Sequence, residues 1–262
     1  KKKNRQYCER LPIGKTARIN MGRKASPTHV PMKYTLIRRS QKTYAVYLNP
    51  RFVRSASYDG PKYKDFNRAW RERLKQCFAN RAGALRDGYG RQLRLKVWNK
   101  YRDKNIPRPP EVEIDMVRSN ARSNLYAYES DVSCGTVVHE AFHLLGLVDE
   151  YKERWKGLNP HIFSRLFNPF VSVQKAPGSA FDCRSPAPKN SVMANHYYAN
   201  WYDSVLKSGH VNSIIYPNCQ KRNSLYYKCA KNAYRTSHDH GAVFFGCRKV
   251  PKECRYADWA GI

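Results

Sequence analysis

The sequence lacks any apolar run long enough to cross a membrane. A transmembrane helix needs about 20 consecutive apolar residues, and the longest apolar stretch here, around His139, is interrupted by charged residues. The basic residues at positions 1–5 are not followed by the apolar segment of a secretory signal peptide. We therefore predict a protein without a transmembrane segment, in which any secretory signal peptide has been removed or never existed.

Acidic residues are scarce and unevenly distributed. The chain has 49 Lys and Arg against 20 Asp and Glu, a net charge of +29. Residues 1–100 contain 27 basic and 5 acidic residues, residues 101–150 contain 5 and 9, and residues 151–262 contain 17 and 6. The basic excess indicates a possible attraction to an anionic surface, such as cell wall, acidic glycan or nucleic acid, or serves solubility alone. No recognised nucleic-acid-binding motif accompanies it.

The eight cysteines include no CxxC pair, the spacing typical of structural zinc sites. Their even number favours disulfide bonds, and reduced buried thiols are the alternative. Disulfides form in oxidising compartments, so we expect a secreted or periplasmic protein. We expect Cys134 to pair with Cys183. We expect disulfide bonds among the four later cysteines to stabilise a C-terminal appendage; these are Cys219, Cys229, Cys247 and Cys254.

A histidine-rich window at residues 139–149, HEAFHLLGLVD, predicts a metal site. Residues four apart share one face of a helix, so His139 and His143 can bind the same metal ion, which we expect to be Zn²⁺. Glu140 can reach a metal-bound water and act as a general base. The alternative is an ordinary core helix in which both histidines make structural hydrogen bonds.

The end of this window predicts the third ligand. Gly146 can adopt a positive φ, end the helix and turn the chain back toward the ion. Asp149 then stands where a third ligand is needed. Glu150, His196 and His210 are the alternatives that the sequence leaves open.

The hydrophobic pattern before the window predicts strands and one helix. The predicted strands are residues 34–37, 44–48 (ending at Asn49-Pro50), 93–98, 112–117 and 124–128, and the predicted helix buries Phe66, Trp70, Leu74, Cys77 and Phe78. Asp131 or Ser133 can cap the helix that carries His139. Residues 151–183 predict loop with short helical turns, and an aromatic stripe predicts a helix at residues 197–207.

These features together resemble the metzincin clan of zinc endopeptidases. The window at 139–149 matches the clan signature HExxHxxGxx(H/D), and Ser191-Val192-Met193 resembles its Met-turn. The order of elements over residues 34–209 is also similar. The aspartate variant resembles the snapalysin family, and Asp149-Glu150-Tyr151 is similar to the DEY string of bacterial IgA-peptidase-like enzymes.

The resemblance implies an α+β fold of known layout. A twisted mixed sheet would carry a backing helix and the active-site helix, followed by a smaller C-terminal subdomain with the Met-turn and a helix. In this chain of 262 residues we expect a basic, irregular arm at 1–33 and a catalytic domain at 34–210, divided after residue 146. A Cys-rich appendage would occupy 211–262.

The resemblance also implies a role for each site residue. Zinc would be bound by His139, His143 and Asp149; Glu140 would activate the attacking zinc-bound water; Met193 would lie beneath the metal; and Tyr197 or Tyr198 could stabilise the transition state. The last strand before the catalytic helix, Ser123 to Glu129, would form one wall of the substrate cleft.

The predicted function is therefore a secreted zinc endopeptidase that acts on protein or peptide substrates. Two alternatives stay open. One is a cell-wall peptide amidase or peptidase. The other is a cationic, polyanion-binding protein with a non-catalytic metal site.

Overall fold

The computed structural model describes residues 11–22, 25–26, 30–79, 85–119, 121, 123–147, 152–155, 173–176, 192–193, 206 and 208–216. In chain order the elements are β1 (Thr16–Met21), β2 (Met32–Arg38), β3 (Thr43–Arg54), α1 (Phe66–Ala79), β4 (Gln92–Val97), β5 (Glu111–Val117), β6 (Ala127–Glu129), α2 (Cys134–His143), β7 (Lys152–Trp155), β8 (Val173–Ala176) and α3 (Ser208–Ile215). This is an α+β fold with a mixed sheet of six strands, so the predicted fold class is confirmed at that level. No helix within the described residues is long and apolar enough to span a membrane.

Strand β3 is the centre of the six-stranded sheet. Its first half pairs antiparallel with β2 and parallel with β4, and its second half pairs parallel with β5. Strand β1 extends the sheet beyond β2, and β6 pairs parallel with β5. The order β1-β2-β3-β5-β6 therefore makes β6 an edge strand.

The two faces of the sheet are separated by the alternation of side chains along β3. Tyr44, Val46, Leu48 and Phe52 belong to the main core. That core also contains Trp70, Leu74 and Phe78 of α1 and Val137, Val138, Ala141 and Phe142 of α2. Ala45 and Tyr47 alternate with them and form a small cluster with Ile37, against which Trp98 and Ile106 pack. We call the side bearing Tyr47 the back face; both helices α1 and α2 lie on the opposite side.

Two strands differ from the sequence prediction. Residues 16–21, expected within an irregular arm, form β1, because they pair over their whole length with β2. Strand β3 does not end at Asn49-Pro50 but continues to Arg54. Residues 49–54 pair in parallel with β5, which explains the continuation. The guanidinium of Arg71 in α1 also donates to the carbonyl oxygens of Pro50 and Trp98.

The disulfide bond of Cys134 is also different from the prediction. Cys134 is bonded to Cys77, not to Cys183. Cys77 lies in the last turn of α1 and Cys134 is the first residue of α2, with their Cα atoms 5.1 Å apart. The bond therefore joins the two helices that cover the main core. The other six cysteines lie outside the described residues.

The structure beyond α2 also differs from the prediction. Strands β7 and β8 form an antiparallel pair where loop was expected. Apart from Leu206, the predicted helix at 197–207 lies outside the described residues, and α3 follows it across the expected boundary between residues 210 and 211. Two bonds attach α3 to the sheet domain. Tyr34 donates its hydroxyl to the Ile214 carbonyl at 2.7 Å, and Arg91 donates to Asn212 Oδ1 at 2.6 Å.

Candidate metal centre

Helix α2 begins at a capped N-terminus and is buried along most of its length. The hydroxyl of Ser133 accepts a hydrogen bond from the backbone N–H of Thr136 at 3.2 Å, so Ser133, not Asp131, is the cap. Every residue from Gly135 to Phe142 is buried. The helix is therefore held firmly by packing and capping, which fixes the side chains that it carries.

Three side chains of α2 form a potential metal-binding group. One ligand atom each from His139, Glu140 and His143 lies within 4.8 Å of the others. The two imidazole rings are nearly perpendicular, at 88°, with centroids 4.9 Å apart, and His143 Nε2 is 3.8 Å from Glu140 Oε2. His139 is 1% exposed and Glu140 6%, whereas the side chain of His143 is 12% exposed. The predicted convergence of the three residues is confirmed.

Backbone carbonyl groups fix the orientation of both imidazoles. His139 Nδ1 is 3.0 Å from the Val192 oxygen, and His143 Nδ1 is 2.8 Å from the Leu147 oxygen. Because a carbonyl oxygen only accepts, each Nδ1 must carry the proton and donate it. In the neutral ring the electron pair then lies on Nε2, the atom that can bind a metal. Such second-ring hydrogen bonds are usual for histidines that bind metals.

Gly146 reverses the chain after α2, as the sequence predicts. It has φ +87°. Its N–H bonds to the His143 carbonyl at 2.9 Å, and the Leu147 N–H bonds to the Phe142 carbonyl at 3.3 Å. These two bonds are those of a Schellman motif, in which the left-handed residue is normally glycine. The reversal brings the Leu147 carbonyl back to His143, so residue 146 positions a group that orients a candidate ligand.

The predicted Met-turn touches the same helix. Val192 and Met193 are buried, 4% and 0% exposed, and both belong to the main core. The Val192 carbonyl is the group to which His139 donates. A segment far away in sequence therefore completes the orientation of the first histidine, while the position of Met193 relative to a metal stays a prediction.

The charge of Glu140 contributes to the raised pKa values of two residues of β6, which the sequence indicated only as part of a cleft wall. Tyr128 is 1% exposed, and burial, followed by the charge of Glu140, raises its pKa well above the usual range. Burial also raises the pKa of Glu129, although hydrogen bonds from Ser123 oppose this and the charges of Asp131 and Glu140 add to it. Burial is therefore the main cause for both groups, and the charge of Glu140 is the second cause for Tyr128 and the smallest cause for Glu129.

Several predicted site residues cannot be placed with this group. Asp149, Glu150, His196, Tyr197 and Tyr198 lie outside the described residues, so their assignment stays a prediction. His210 is described: it is fully buried in α3. It does not belong to the His139 group, the one cluster of three or more potential ligands within the described part of the chain.

Comparison with known proteins adds no assignment. No protein-family model matches the chain, and no curated protein or solved structure gives a significant match.

Proposed function

We propose that this protein is a secreted zinc endopeptidase with a metzincin-like site. The observation that carries the proposal is the pair of oriented imidazoles beside a carboxylate on one buried helix. Two neutral histidines suit zinc, which prefers nitrogen and sulfur ligands in a tetrahedral arrangement. Their Nδ1 bonds to backbone carbonyls suit a ligand role better than a purely structural one, because each bond directs the electron pair to Nε2.

His139 and His143 would hold the metal, and Asp149 is the proposed third ligand. When bound, zinc would act as a Lewis acid that polarises a substrate carbonyl and water. Support for Asp149 comes from the Schellman motif at Gly146, which already turns the chain back to His143 two residues earlier. The resemblance to the metzincin signature points to the same residue.

Glu140 would transfer the proton in peptide hydrolysis. It lies one residue after the first ligand, and its carboxylate is 3.8 Å from the His143 ring nitrogen that faces the site. From there it would accept a proton from the attacking water and deliver that proton to the leaving amine. Its low exposure keeps bulk water from competing for this role.

The substrate would bind along β6. This strand is at the edge of the sheet and follows β5 directly in the strand order. An extended peptide can add to such an edge through backbone hydrogen bonds. The charge of Glu140 also contributes to the raised pKa values of Tyr128 and Glu129, which supports a substrate position along this strand.

The decisive experiment separates metal binding from hydrolysis. We would measure zinc content by elemental analysis and cleavage of a mixed peptide library for the wild type, Glu140→Ala and His143→Ala. Glu72→Ala, an exposed glutamate of α1, is the matched control. We expect Glu140→Ala to retain one zinc per chain and lose about 10²-fold or more of the activity. We expect His143→Ala to lose the metal.

Two outcomes would contradict the proposal. Hydrolysis retained by Glu140→Ala would remove Glu140 from the mechanism. A wild-type protein that binds no zinc at micromolar concentration would remove the metal site itself. Cleavage restricted to cell-wall peptides, in place of ordinary polypeptides, would instead support the amidase alternative.

A further inference from the structure

Three basic side chains gather on the back face, away from the candidate metal centre. Arg94 and Lys96 alternate with Leu93 and Leu95 along β4; the leucines enter the main core and the two basic residues are exposed. Their register partners on β3 are Ala45 and Tyr47, which belong to the back-face cluster. Arg39, just after β2, reaches the same tyrosine. We call Arg39, Arg94 and Lys96 the back-face patch.

Contacts within the sheet hold the patch in position. Arg39 Nη2 donates to the Tyr47 hydroxyl at 3.1 Å, and Lys96 Nζ lies 6.0 Å from the centre of the Tyr47 ring. Arg94 Nε donates to Gln92 Oε1 at 3.3 Å. Tyr47 itself is only 2% exposed, so it is a fixed support. The two cations that converge on it are therefore partly ordered before any ligand arrives, which lowers the entropy cost of binding.

The charge of the patch is not neutralised by the acidic residues of the same sheet. Arg51 and Arg108 lie next to β5, and both form ion pairs with Glu111. In contrast, Arg39, Arg94 and Lys96 form no ion pair with any carboxylate of the described residues. Like charges that converge without a counter-charge repel one another, so a bound anion would be favoured there.

We propose that the back-face patch binds a linear anionic polysaccharide, carrying sulfate or carboxylate groups. Arg94 and Lys96 are two residues apart on one strand, so their Cα atoms are about 6.6 Å apart along a flat surface, and Arg39 approaches from the other side of β3. A chain of repeated anionic groups fits this row. Single-stranded nucleic acid fits less well, because base stacking needs exposed aromatic rings. Tyr47 is buried, and Trp98 is only partly exposed because it packs against the back-face cluster.

The location of the patch has a consequence for the proposed enzyme. Helix α2 packs on the core side of the sheet, whereas the patch lies on the back face. A polysaccharide on the patch would therefore not cover the side of the sheet on which His139 and His143 lie. The protein could stay attached to an anionic matrix while it cleaves peptides, and binding to the matrix does not depend on the metal.

The test compares two pairs of basic residues with the same spacing. Arg94→Ser/Lys96→Ser removes two positive charges from the patch. Lys62→Ser/Lys64→Ser removes two from exposed positions before α1 and is the matched control. Binding of the full chain to dextran sulfate, with neutral dextran as the blank, would be measured across a salt series. The unfolding midpoint of each variant would be measured alongside, and Arg39→Ser provides an independent variant of the patch.

We expect the patch variant to bind dextran sulfate on the order of tenfold more weakly than the wild type. The slope of log affinity against log salt concentration should also be shallower, by an amount that corresponds to about two ionic contacts. The Lys62/Lys64 control should bind like the wild type. Equal weakening in both pairs would show that net charge alone causes binding, and would overturn the proposal. Tighter binding of a single-stranded oligonucleotide than of dextran sulfate, lost in the patch variant, would overturn the assignment to polysaccharide. These readouts need no zinc, so they remain informative if the enzymatic proposal fails.

Discussion

Replacing Gly146 by alanine should destabilise the protein through two separate effects. The first is backbone strain, because φ is +87° and an L-residue in the left-handed region costs about 1–2 kcal/mol. The second is a collision. A Cβ atom at this position would lie 2.8 Å from Met32 Cγ, 3.0 Å from its Cε and 3.1 Å from its Sδ. Met32 is fully buried, and overpacking of this kind costs about 1–3 kcal/mol.

Gly14→Ala is the matched control for the strain alone. Gly14 has φ +81°, and nothing lies within 4 Å of a Cβ atom built there. We expect Gly146→Ala to lower the free energy of unfolding by about 2–5 kcal/mol and Gly14→Ala by about 1–2 kcal/mol. Urea denaturation followed by tryptophan fluorescence measures both. The Tm of Gly146→Ala should fall by about 5–15 °C.

A double-mutant cycle isolates the collision. If Met32 causes the extra loss, Gly146→Ala should cost at least about 1 kcal/mol less in a Met32→Ala background than in the wild type. Zinc titration should also show weaker binding by Gly146→Ala, because the Leu147 carbonyl that orients His143 moves with residue 146. Equal destabilisation by Gly146→Ala and Gly14→Ala, with no coupling to Met32, would refute the reasoning.

Two further predictions concern stability. Hydrogen bonds from the Ser119 and Ser130 hydroxyls lower the pKa of Asp59 to about 2. Because these bonds favour the ionised carboxylate, they stabilise the folded state above the usual pKa of 3.8, and this contribution to folding is lost as the pH falls toward about 2. The difference in urea midpoint between the wild type and Asp59→Asn should therefore shrink between about pH 5 and about pH 2, and a constant difference would contradict the assignment. Cys77→Ser/Cys134→Ser should lower the free energy of unfolding by about 4 kcal/mol, because the disulfide closes a loop with a sequence separation of 57 residues. A wild-type unfolding midpoint that does not change with reductant would argue against this bond.

Local patterns in the sequence were sufficient to predict helix α2 and most of the sheet. The helical spacing of His139 and His143 and the positive φ of Gly146 each depend on a few neighbouring residues, and the structure confirms both. The sequence offered Asp131 or Ser133 as the cap, and Ser133 is the residue that caps the helix. The core positions predicted for α1 are confirmed for Trp70, Leu74, Cys77 and Phe78, whereas Phe66, at the start of the helix, is only partly buried against the core. Such features depend on the types and spacing of neighbouring residues, which can be read from the sequence.

Features that depend on distant partners could not be predicted. Only Ile19 of β1 is buried, so its pattern is too weak to indicate a strand, and pairing with β2 decides its conformation. Strand β3 continues past Pro50 because its residues 49–54 pair with β5, a strand about 60 residues later in the chain. The partner of Cys134 could not be chosen among seven other cysteines until α1 and α2 were placed together.

The hydrogen bond between His139 and the Val192 carbonyl makes the site depend on a segment that lies outside the HEAFH motif. His139 and His143 are four residues apart in the chain, but the Val192 carbonyl that orients the His139 ring lies 53 positions after His139. Any polypeptide that contained the HEAFH string without its distant partner would keep the donor atoms and lose the direction in which one of them points. The short sequence motif thus specifies which potential ligand atoms are present, whereas the tertiary structure sets the orientation that they need to bind a metal.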